Sequence, residues 1–174
     1  MGVVVAGGIC ARCDQTRQPM HVESATIDKD GRVSLRWTGQ PEKMIARDRD
    51  GYSESSHCED AGSDQLKISD NRLSVGWVAQ YNGCCQSYPL PMVLIIARNG
   101  RVLKRIQPIR PVFDWRFEQG DRLVALYTDT PHFTPMPECE LYDMQTGKRI
   151  ATWKPGDTPK PPAWAAPFAK DLRE

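Results

Sequence analysis

From Val22 onward, apolar and polar residues alternate with a period of two over most of the chain, which is the pattern of β-strands. The alternation predicts ten strands, at residues 22–27, 32–37, 65–69, 73–79, 92–98, 101–107, 112–117, 122–128, 138–143 and 148–153. Short segments rich in Asp, Asn and Gly separate them, and residues 28–31 have the composition of a hairpin turn whose glycine takes positive φ. The sequence therefore predicts an all-β fold.

The last eight predicted strands form two similar sets of four, spanning residues 65–107 and 112–153. Each span is close to the roughly 40–45 residues of a β-propeller blade. A closed propeller needs about four blades, and the N-terminal third of the chain has room for one more. We therefore predict an incomplete propeller-like or sandwich arrangement of two to three antiparallel blade-like sheets.

A short irregular tail follows the last predicted strand, and it is rich in proline and aromatic residues. An incomplete propeller has exposed strand edges that must be capped or paired. We expect the tail to cover one such edge with Trp164 and Phe168.

Residues 40–64 interrupt the alternation with a long, polar, charge-dense segment. A loop of this length in a compact domain usually has a functional role. Its apolar side chains stand among charges of both signs, which is the composition of a docking element for a protein partner. The candidate partner-binding residues are Met44, Arg47, Asp48, Arg49, Asp50, Tyr52 and His57. The alternative is a solvated loop with no binding role.

The chain has six cysteines, at positions 10, 13, 58, 84, 85 and 139. An even number in a small chain fits the disulfide framework of an exported protein, although six cysteines allow 15 pairings. We take Cys58, Cys84, Cys85 and Cys139 as the candidates for structural disulfides. Cys10 and Cys13 have the first half of a zinc-ribbon spacing, but no second Cys-x-x-Cys follows. We therefore expect no metal site and no cofactor.

The first residues form an apolar run that ends in small residues, as the second half of a signal peptide does, but without a basic segment before it. A buried first strand is the alternative. We expect residues 1–13 to be the remnant of an export signal and residues 14–174 to form a single β domain in the periplasm.

Charge and motifs narrow the classes of function. With 23 Lys and Arg against 22 Asp and Glu the formal charge is +1, whereas a nucleic-acid-binding protein carries a basic excess. No stretch approaches the roughly 20 apolar residues of a membrane span. No Gly-x-Ser-x-Gly element, phosphate-binding glycine loop or His-x-x-x-His spacing occurs. We therefore expect a protein without catalytic residues. The alternative is an exported thiol-dependent or hydrolytic enzyme that uses Cys58, Cys84 or Cys85 with a histidine.

Residues 75–91 contain the element Cys-Cys-x-Ser-Tyr-Pro, and residues 114–117, 141–143 and 146–148 add Trp and Thr-Gly-Lys features. Over residues 68–164 the chain resembles a family of exported bacterial proteins of blade-like β structure. In size, export features and cysteine content it is also similar to periplasmic immunity proteins, which neutralise toxins delivered by type VI secretion, phospholipase effectors among them. This resemblance implies a one-to-one complex with a single toxin enzyme.

Overall fold

The computed structural model describes residues 19–45, 58–82, 88–130, 136–158 and 160–169. These residues contain eleven β-strands: β1 (Val22–Ile27), β2 (Val33–Trp37), β3 (Lys43–Ile45), β4 (Glu59–Ile68), β5 (Ser74–Asn82), β6 (Leu90–Arg98), β7 (Arg101–Ile106), β8 (Val112–Glu118), β9 (Leu123–Thr128), β10 (Glu138–Asp143) and β11 (Arg149–Trp153). No helix in the described part of the chain is long and apolar enough to cross a membrane.

The strands form three open antiparallel sheets, each with its strands in chain order. The first sheet has the order β1-β2-β3, the second β4-β5-β6-β7 and the third β8-β9-β10-β11. The predicted all-β class with two to three antiparallel blade-like sheets is confirmed. The two predicted sets of four strands correspond to the second and third sheets.

The prediction of a continuous loop over residues 40–64 is wrong, because β3 and the first six residues of β4 lie within it. Two irregularities explain why the alternation did not show the first part of β4, ahead of the predicted strand at residues 65–69. Its register against β5 shifts between Asp60 and Gly62 and again between Asp64 and Lys67. Each shift exchanges the face to which the following residues point, so polar and apolar residues lose their period of two.

The second sheet is the centre of the molecule and is buried on both faces. Trp77 and its alternate neighbours on β5 pack against the first sheet, in a core that includes Leu35 and Trp37. Val78 points to the opposite face and packs against the third sheet, in a core that includes Trp115. The strands β5 and β6 are therefore almost continuously apolar, as expected for strands between two layers.

Trp115 fixes the distance between the second and third sheets. Its indole nitrogen donates to the backbone oxygen of Gln65, 2.9 Å away, and its ring lies against β5 at Gly76. A Cβ at Gly76 would be 2.7 Å from the Trp115 ring and 2.5 Å from the Ile96 side chain. Lys67 adds a second connection, because its ammonium is 2.5 Å from both the Asp114 carboxylate and the Trp115 backbone oxygen.

The second and third sheets are arranged as neighbouring blades with parallel first strands. The side chain of Gln65, in β4, donates to the backbone oxygen of Val112 at the start of β8. The side chain of Asn71, beyond the end of β4, donates to the backbone oxygen of Gly120, beyond the end of β8. β4 and β8 therefore run in the same direction, with Gln65 beside the start of β8 and Asn71 beside the turn that follows it.

In the first sheet, the first strand runs opposite to the first strand of the second sheet. The Val22 amide, at the start of β1, donates to the backbone oxygen of Arg72, beyond the end of β4. The turn after β1 contacts β4 near its start, where a Cβ at Gly31 would lie 2.7 Å from the Cα of Gly62. β1 thus runs antiparallel to β4. The first sheet covers the second but does not repeat the arrangement of the other two.

The C-terminal tail covers the face of the third sheet that points away from the second. Ala165 and Phe168 pack there against residues that include Leu141 and Trp153, and Trp164 is partly buried beside them. The expectation that the tail covers a sheet edge is therefore wrong. The third sheet is apolar on both faces, and this face has no neighbouring sheet, so the tail provides the layer that keeps it from water.

Candidate protein-binding surface

Of the residues predicted to bind a partner, Met44 is the one that the structure describes. It lies in β3 and is more than half exposed. Arg47, Asp48, Arg49, Asp50, Tyr52 and His57 lie outside the described residues, so a role for them stays a prediction.

The structure describes two of the candidate disulfide cysteines, Cys58 and Cys139, and they are in different states. Cys58 is disulfide-bonded and packs against the core between the first and second sheets. Cys84 and Cys85 lie outside the described residues. Cys139 is a free, buried cysteine, so its assignment to a disulfide is wrong. Its place in β10 directs it into the apolar layer beneath the tail.

Neither described cysteine is a suitable nucleophile. A disulfide-bonded Cys58 has no thiolate to offer. Burial, with a smaller contribution from the nearby charge of Glu138, raises the pKa of the Cys139 thiol to about 12. Because the thiolate is the reactive form, the described part of the chain gives no support to a thiol-dependent reaction at these two positions.

Exposed apolar side chains gather at one end of the third sheet. Ile109, in the connection before β8, is 78% exposed, Phe113 in β8 is 45% exposed, and Met136, just before β10, is 53% exposed. Together with Tyr127 at the end of β9, we call these residues the apolar end. Single exposed apolar residues are ordinary, but a group at one end of one sheet is typical of an interaction surface.

Asp129 holds the backbone of this surface in place. Its carboxylate accepts hydrogen bonds from the Tyr127 hydroxyl at 3.2 Å, and from the backbone amides of Thr130 and Met136, both at 2.7 Å. Its own amide donates to the backbone oxygen of Pro111 at 3.3 Å. One residue, through its carboxylate and its backbone amide, therefore joins the connections before β8 and before β10 to the end of β9.

The aromatic residues form a row from the surface into the interior. The ring centres of Phe113 and Tyr127 are 6.2 Å apart, and Tyr127 stacks on the buried Phe168 of the tail at 6.3 Å. The register of β8 against β9 shifts between Val112 and Asp114. A bulge of this kind redirects a side chain, and here it accompanies the outward position of Phe113.

Neutralised charges border the apolar end. The Arg110 guanidinium lies 2.7 Å from the Glu138 carboxylate, which Lys154 also approaches, at 3.6 Å. Two residues further along β10, on the same face as Glu138, the Glu140 carboxylate accepts a hydrogen bond from the Tyr142 hydroxyl at 2.6 Å. It also pairs with the Arg149 guanidinium at 3.0 Å. An apolar centre beside paired charges is the usual composition of a protein–protein interface.

Sequence reasoning did not identify the apolar end. Phe113 belongs to a predicted strand, in which an aromatic residue is expected to face the core. The prolines are the sequence feature that could have identified this surface. Ile109 follows a proline and Met136 lies between two prolines, both in connections between strands. An apolar residue in such a rigid connection does not belong to a strand, so it cannot be buried by pointing toward the core side of a sheet.

Within the ranges that the structure describes, no group of three or more His, Cys, Asp or Glu residues could hold a metal ion. A comparison with models of known protein families found none that matches this chain, and none of the curated proteins matches it either.

Proposed function

We propose that this chain is a periplasmic protein-binding protein, an immunity protein that binds one antibacterial effector enzyme in a one-to-one complex and neutralises it. The observation that carries the binding part of the proposal is the apolar end, where Ile109, Phe113 and Met136 are exposed beside a bonded network of charges. The resemblance over residues 68–164 to exported blade-like proteins supports the export of the chain. The similarity to periplasmic immunity proteins in size, export features and cysteine content supports the effector class, and a phospholipase is the effector that we favour.

The apolar end has the chemistry of a binding hot spot. Aromatic residues and methionine are enriched at the centres of protein interfaces, because they bury a large area at little conformational cost. The Asp129 hydrogen bonds order the backbone at Met136 before a partner arrives. Tyr127 is supported from behind by Phe168. Ordering the surface in advance lowers the entropy lost on binding.

The exported thiol enzyme is the weaker hypothesis. Its nucleophile at Cys58 is occupied by a disulfide, and Cys139 has a pKa at which almost no thiolate exists near neutrality. A hydrolytic role at Cys84 or Cys85 stays a prediction, because both residues lie outside the described part of the chain.

The proposal is tested by capture followed by inhibition. The purified chain serves as bait for lysate of its source cell, and a retained protein is then purified and mixed with the chain in a light-scattering experiment. We expect a one-to-one complex that suppresses the enzymatic activity of the captured protein, and we expect co-production of the chain to relieve its toxicity in a bacterial periplasm. A captured protein whose activity and toxicity are unchanged by the chain contradicts the immunity role.

Matched variants test the surface. Phe113→Ala should weaken the complex about 30-fold or more, as expected for a hot spot worth about 2 kcal/mol. Val102→Ala is the control, because Val102 lies in β7 of the second sheet and is also 45% exposed. Equal affinities of the two variants would show that the partner binds elsewhere, even if inhibition is confirmed.

A further inference from the structure

The last strands of the second and third sheets, β7 and β11, have the same irregularity. In β7 the residues on either side of Leu103 pair with consecutive residues of β6, so Leu103 is an extra residue in a bulge. In β11 the residues on either side of Ile150 pair with consecutive residues of β10, so Ile150 is the extra residue there. Each lies three residues after the glycine of the preceding hairpin turn, Gly100 or Gly147. The two sheets therefore have an equivalent aliphatic bulge in their last strand.

The bulge residues are exposed to solvent. Leu103 is 37% exposed, Ile150 is 55% exposed, and Val102, beside Leu103, is 45% exposed. A bulge in an edge strand hinders pairing with another chain, but that role requires no apolar residue at the exposed position. Bulges also redirect side chains at functional sites. The exposure of an aliphatic residue in both bulges therefore indicates a contact surface.

The two bulged strands lie side by side. A Cβ at Gly147, in the turn before β11, would be 3.5 Å from the Cδ of Lys104 in β7. Beneath this contact, Met144 of the same turn belongs to one core with Ile106 at the end of β7. We call the resulting surface the basic edge, and it consists of Arg101, Val102, Leu103, Lys104, Lys148 and Ile150.

Positive charge surrounds both bulges. Residues 98–110 contain five Arg or Lys and no Asp or Glu, and residues 144–155 contain three Arg or Lys and no Asp or Glu. In each hairpin a cation, Arg101 or Lys148, directly follows the glycine. The whole chain has a formal charge of +1, so its overall attraction for an anionic partner is small. The local excess therefore determines which partner this surface attracts.

Three cations of the basic edge have no carboxylate partner. The neighbouring ion pairs join Arg98 to Asp121, Arg110 and Lys154 to Glu138, and Arg149 to Glu140. Within the ranges that the structure describes, Arg101, Lys104 and Lys148 form no ion pair. The charges of these three unpaired cations are thus available to an anion from outside the chain.

One of these charges is present at a cost to the sheet. Arg101 lies directly opposite Arg98 in the register of β6 and β7, and like charges at opposed positions destabilise a sheet. The carboxylate of Asp121, 3.6 Å away, compensates Arg98 and not Arg101. A local choice that opposes stability is expected where a residue serves a function.

The residue types favour a lipid surface over a protein partner. Hot spots of protein interfaces are rich in Trp, Tyr and Arg and poor in Leu and Val, and lysine is depleted in such interfaces. The basic edge combines Leu, Val and Ile with two lysines. Aliphatic side chains enter the boundary between headgroups and acyl chains of a bilayer, and clustered Lys and Arg bind anionic headgroups.

We propose that the basic edge is a membrane-docking surface. The two bulge residues enter the interface of an anionic phospholipid bilayer, and the three unpaired cations contact the lipid phosphates. The contact is peripheral and reversible, because so few side chains bury far less apolar area than a membrane span does. It uses other residues than the apolar end and does not depend on the proposed function.

The test is co-sedimentation of the full chain with lipid vesicles. The vesicles contain phosphatidylcholine and phosphatidylglycerol in a ratio of about 2:1, and the bound fraction is measured against lipid concentration at low ionic strength. We expect partitioning at least about tenfold stronger than onto pure phosphatidylcholine, because each cation near an anionic surface contributes a factor of about five. Most of this difference should disappear at about 1 M salt, where the Debye length is about 3 Å.

Variants of the basic edge separate the two contributions. Arg101→Gln and Lys148→Gln should each weaken partitioning about fivefold, because each removes one unpaired cation. Both residues are exposed, so these variants keep the test valid even if a change at a bulge prevents folding. Leu103→Ser and Ile150→Ser should each weaken partitioning about fivefold as well, but without changing its dependence on salt.

Lys29→Gln is the matched control, because Lys29 is an exposed cation in the turn between β1 and β2 and its replacement removes the same charge. It should leave vesicle binding unchanged, and so should Phe113→Ala at the apolar end. Vesicle binding requires no effector, so failed capture of an effector would refute the proposed function and leave this site intact.

Three results would overturn the membrane proposal. The first is the absence of sedimentation with anionic vesicles at low ionic strength. The second is equal weakening by Lys29→Gln and Lys148→Gln, which would show that overall charge and not this surface determines binding. The third is binding to soluble polyglutamate, weakened by Lys148→Gln, in a chain that does not bind vesicles, which would identify an acidic protein segment as the partner.

Discussion

The contact between the second and third sheets at Gly76 permits a quantitative prediction. A Cβ added there would lie 2.5 Å from Ile96 Cδ1, 2.7 Å from Trp115 Cη2 and 3.1 Å from the backbone oxygen of Ile95. Carbon atoms pack at about 3.5–4.0 Å, so the two side chains would have to move by about 1 Å. Both lie in a buried layer between two sheets, where such a movement disturbs other contacts.

We expect Gly76→Ala to lower the free energy of unfolding by about 1–2 kcal/mol. Overpacking of a well-packed core costs about 1–3 kcal/mol. Alanine returns about 0.5–1 kcal/mol of this, because it loses less backbone freedom than glycine on folding. The measurement is urea denaturation followed by tryptophan fluorescence and by circular dichroism, with coincident transitions required for the two-state treatment.

A double-mutant cycle with Ile96→Val tests the cause. Ile96→Val removes the methyl group nearest to the added Cβ and should by itself cost about 1 kcal/mol. In its presence Gly76→Ala should cost about 1 kcal/mol less than in the wild type. Gly120→Ala is the control, because φ is +62° there and no atom lies within 4 Å of the added Cβ. It should show backbone strain and no coupling to Ile96. A stabilising Gly76→Ala, or a cycle that is additive within about 0.3 kcal/mol, would refute the packing argument.

Four further predictions concern the cysteines and the tail. The Cys139 thiol should not react with Ellman's reagent in the native protein and should react in denaturant, because it is buried with a raised pKa. Since that pKa rises from 9.0 to about 12 on folding, the unfolded state binds fewer protons between these values, and unfolding free energy should fall as the pH rises through this window; Cys139→Ala should remove that part of the slope. Phe168→Ala should cost about 3 kcal/mol in urea denaturation, because Phe168 is buried beneath Trp153 and Leu141; a cost below about 1 kcal/mol would show that the tail is not part of the core. Dithiothreitol should lower the stability of the wild type by about 2–4 kcal/mol more than that of Cys58→Ser, whereas equal effects on both would mean that the Cys58 disulfide contributes nothing.

The alternation of residue types predicted most of the strands well. The bounds of β1 and β10 agree with the prediction, and most other strands differ from it by one to three residues at an end. Turns rich in Gly and Asp mark the ends of these strands. β4 is the exception, because its bulges at Gly62 and before Lys67 exchange its faces. A three-residue β3 is too short for a period of two to emerge.

The candidate sites were harder to predict, because each depends on contacts between distant parts of the chain. Leu103 and Ile150 are ordinary strand residues by their sequence, and their place on one surface becomes visible only when β7 and the turn before β11 are brought together. Cys139 counted toward an even number of cysteines, but the tail that buries it is about thirty residues further along the chain. Met44 was found from its position among charges, which is a local property.

The opposite directions of β1 and β4 have a consequence for how this architecture can grow. A four-stranded unit whose first strand runs parallel to that of its neighbour is a repeat that gene duplication can copy, and the second and third sheets have this relation. In the described residues the reversed first sheet covers the outer face of the second sheet, and the tail covers the outer face of the third. A new unit inserted between β7 and β8 would find an apolar face on each side, so this connection is the place where the repeat can be extended without displacing either cover.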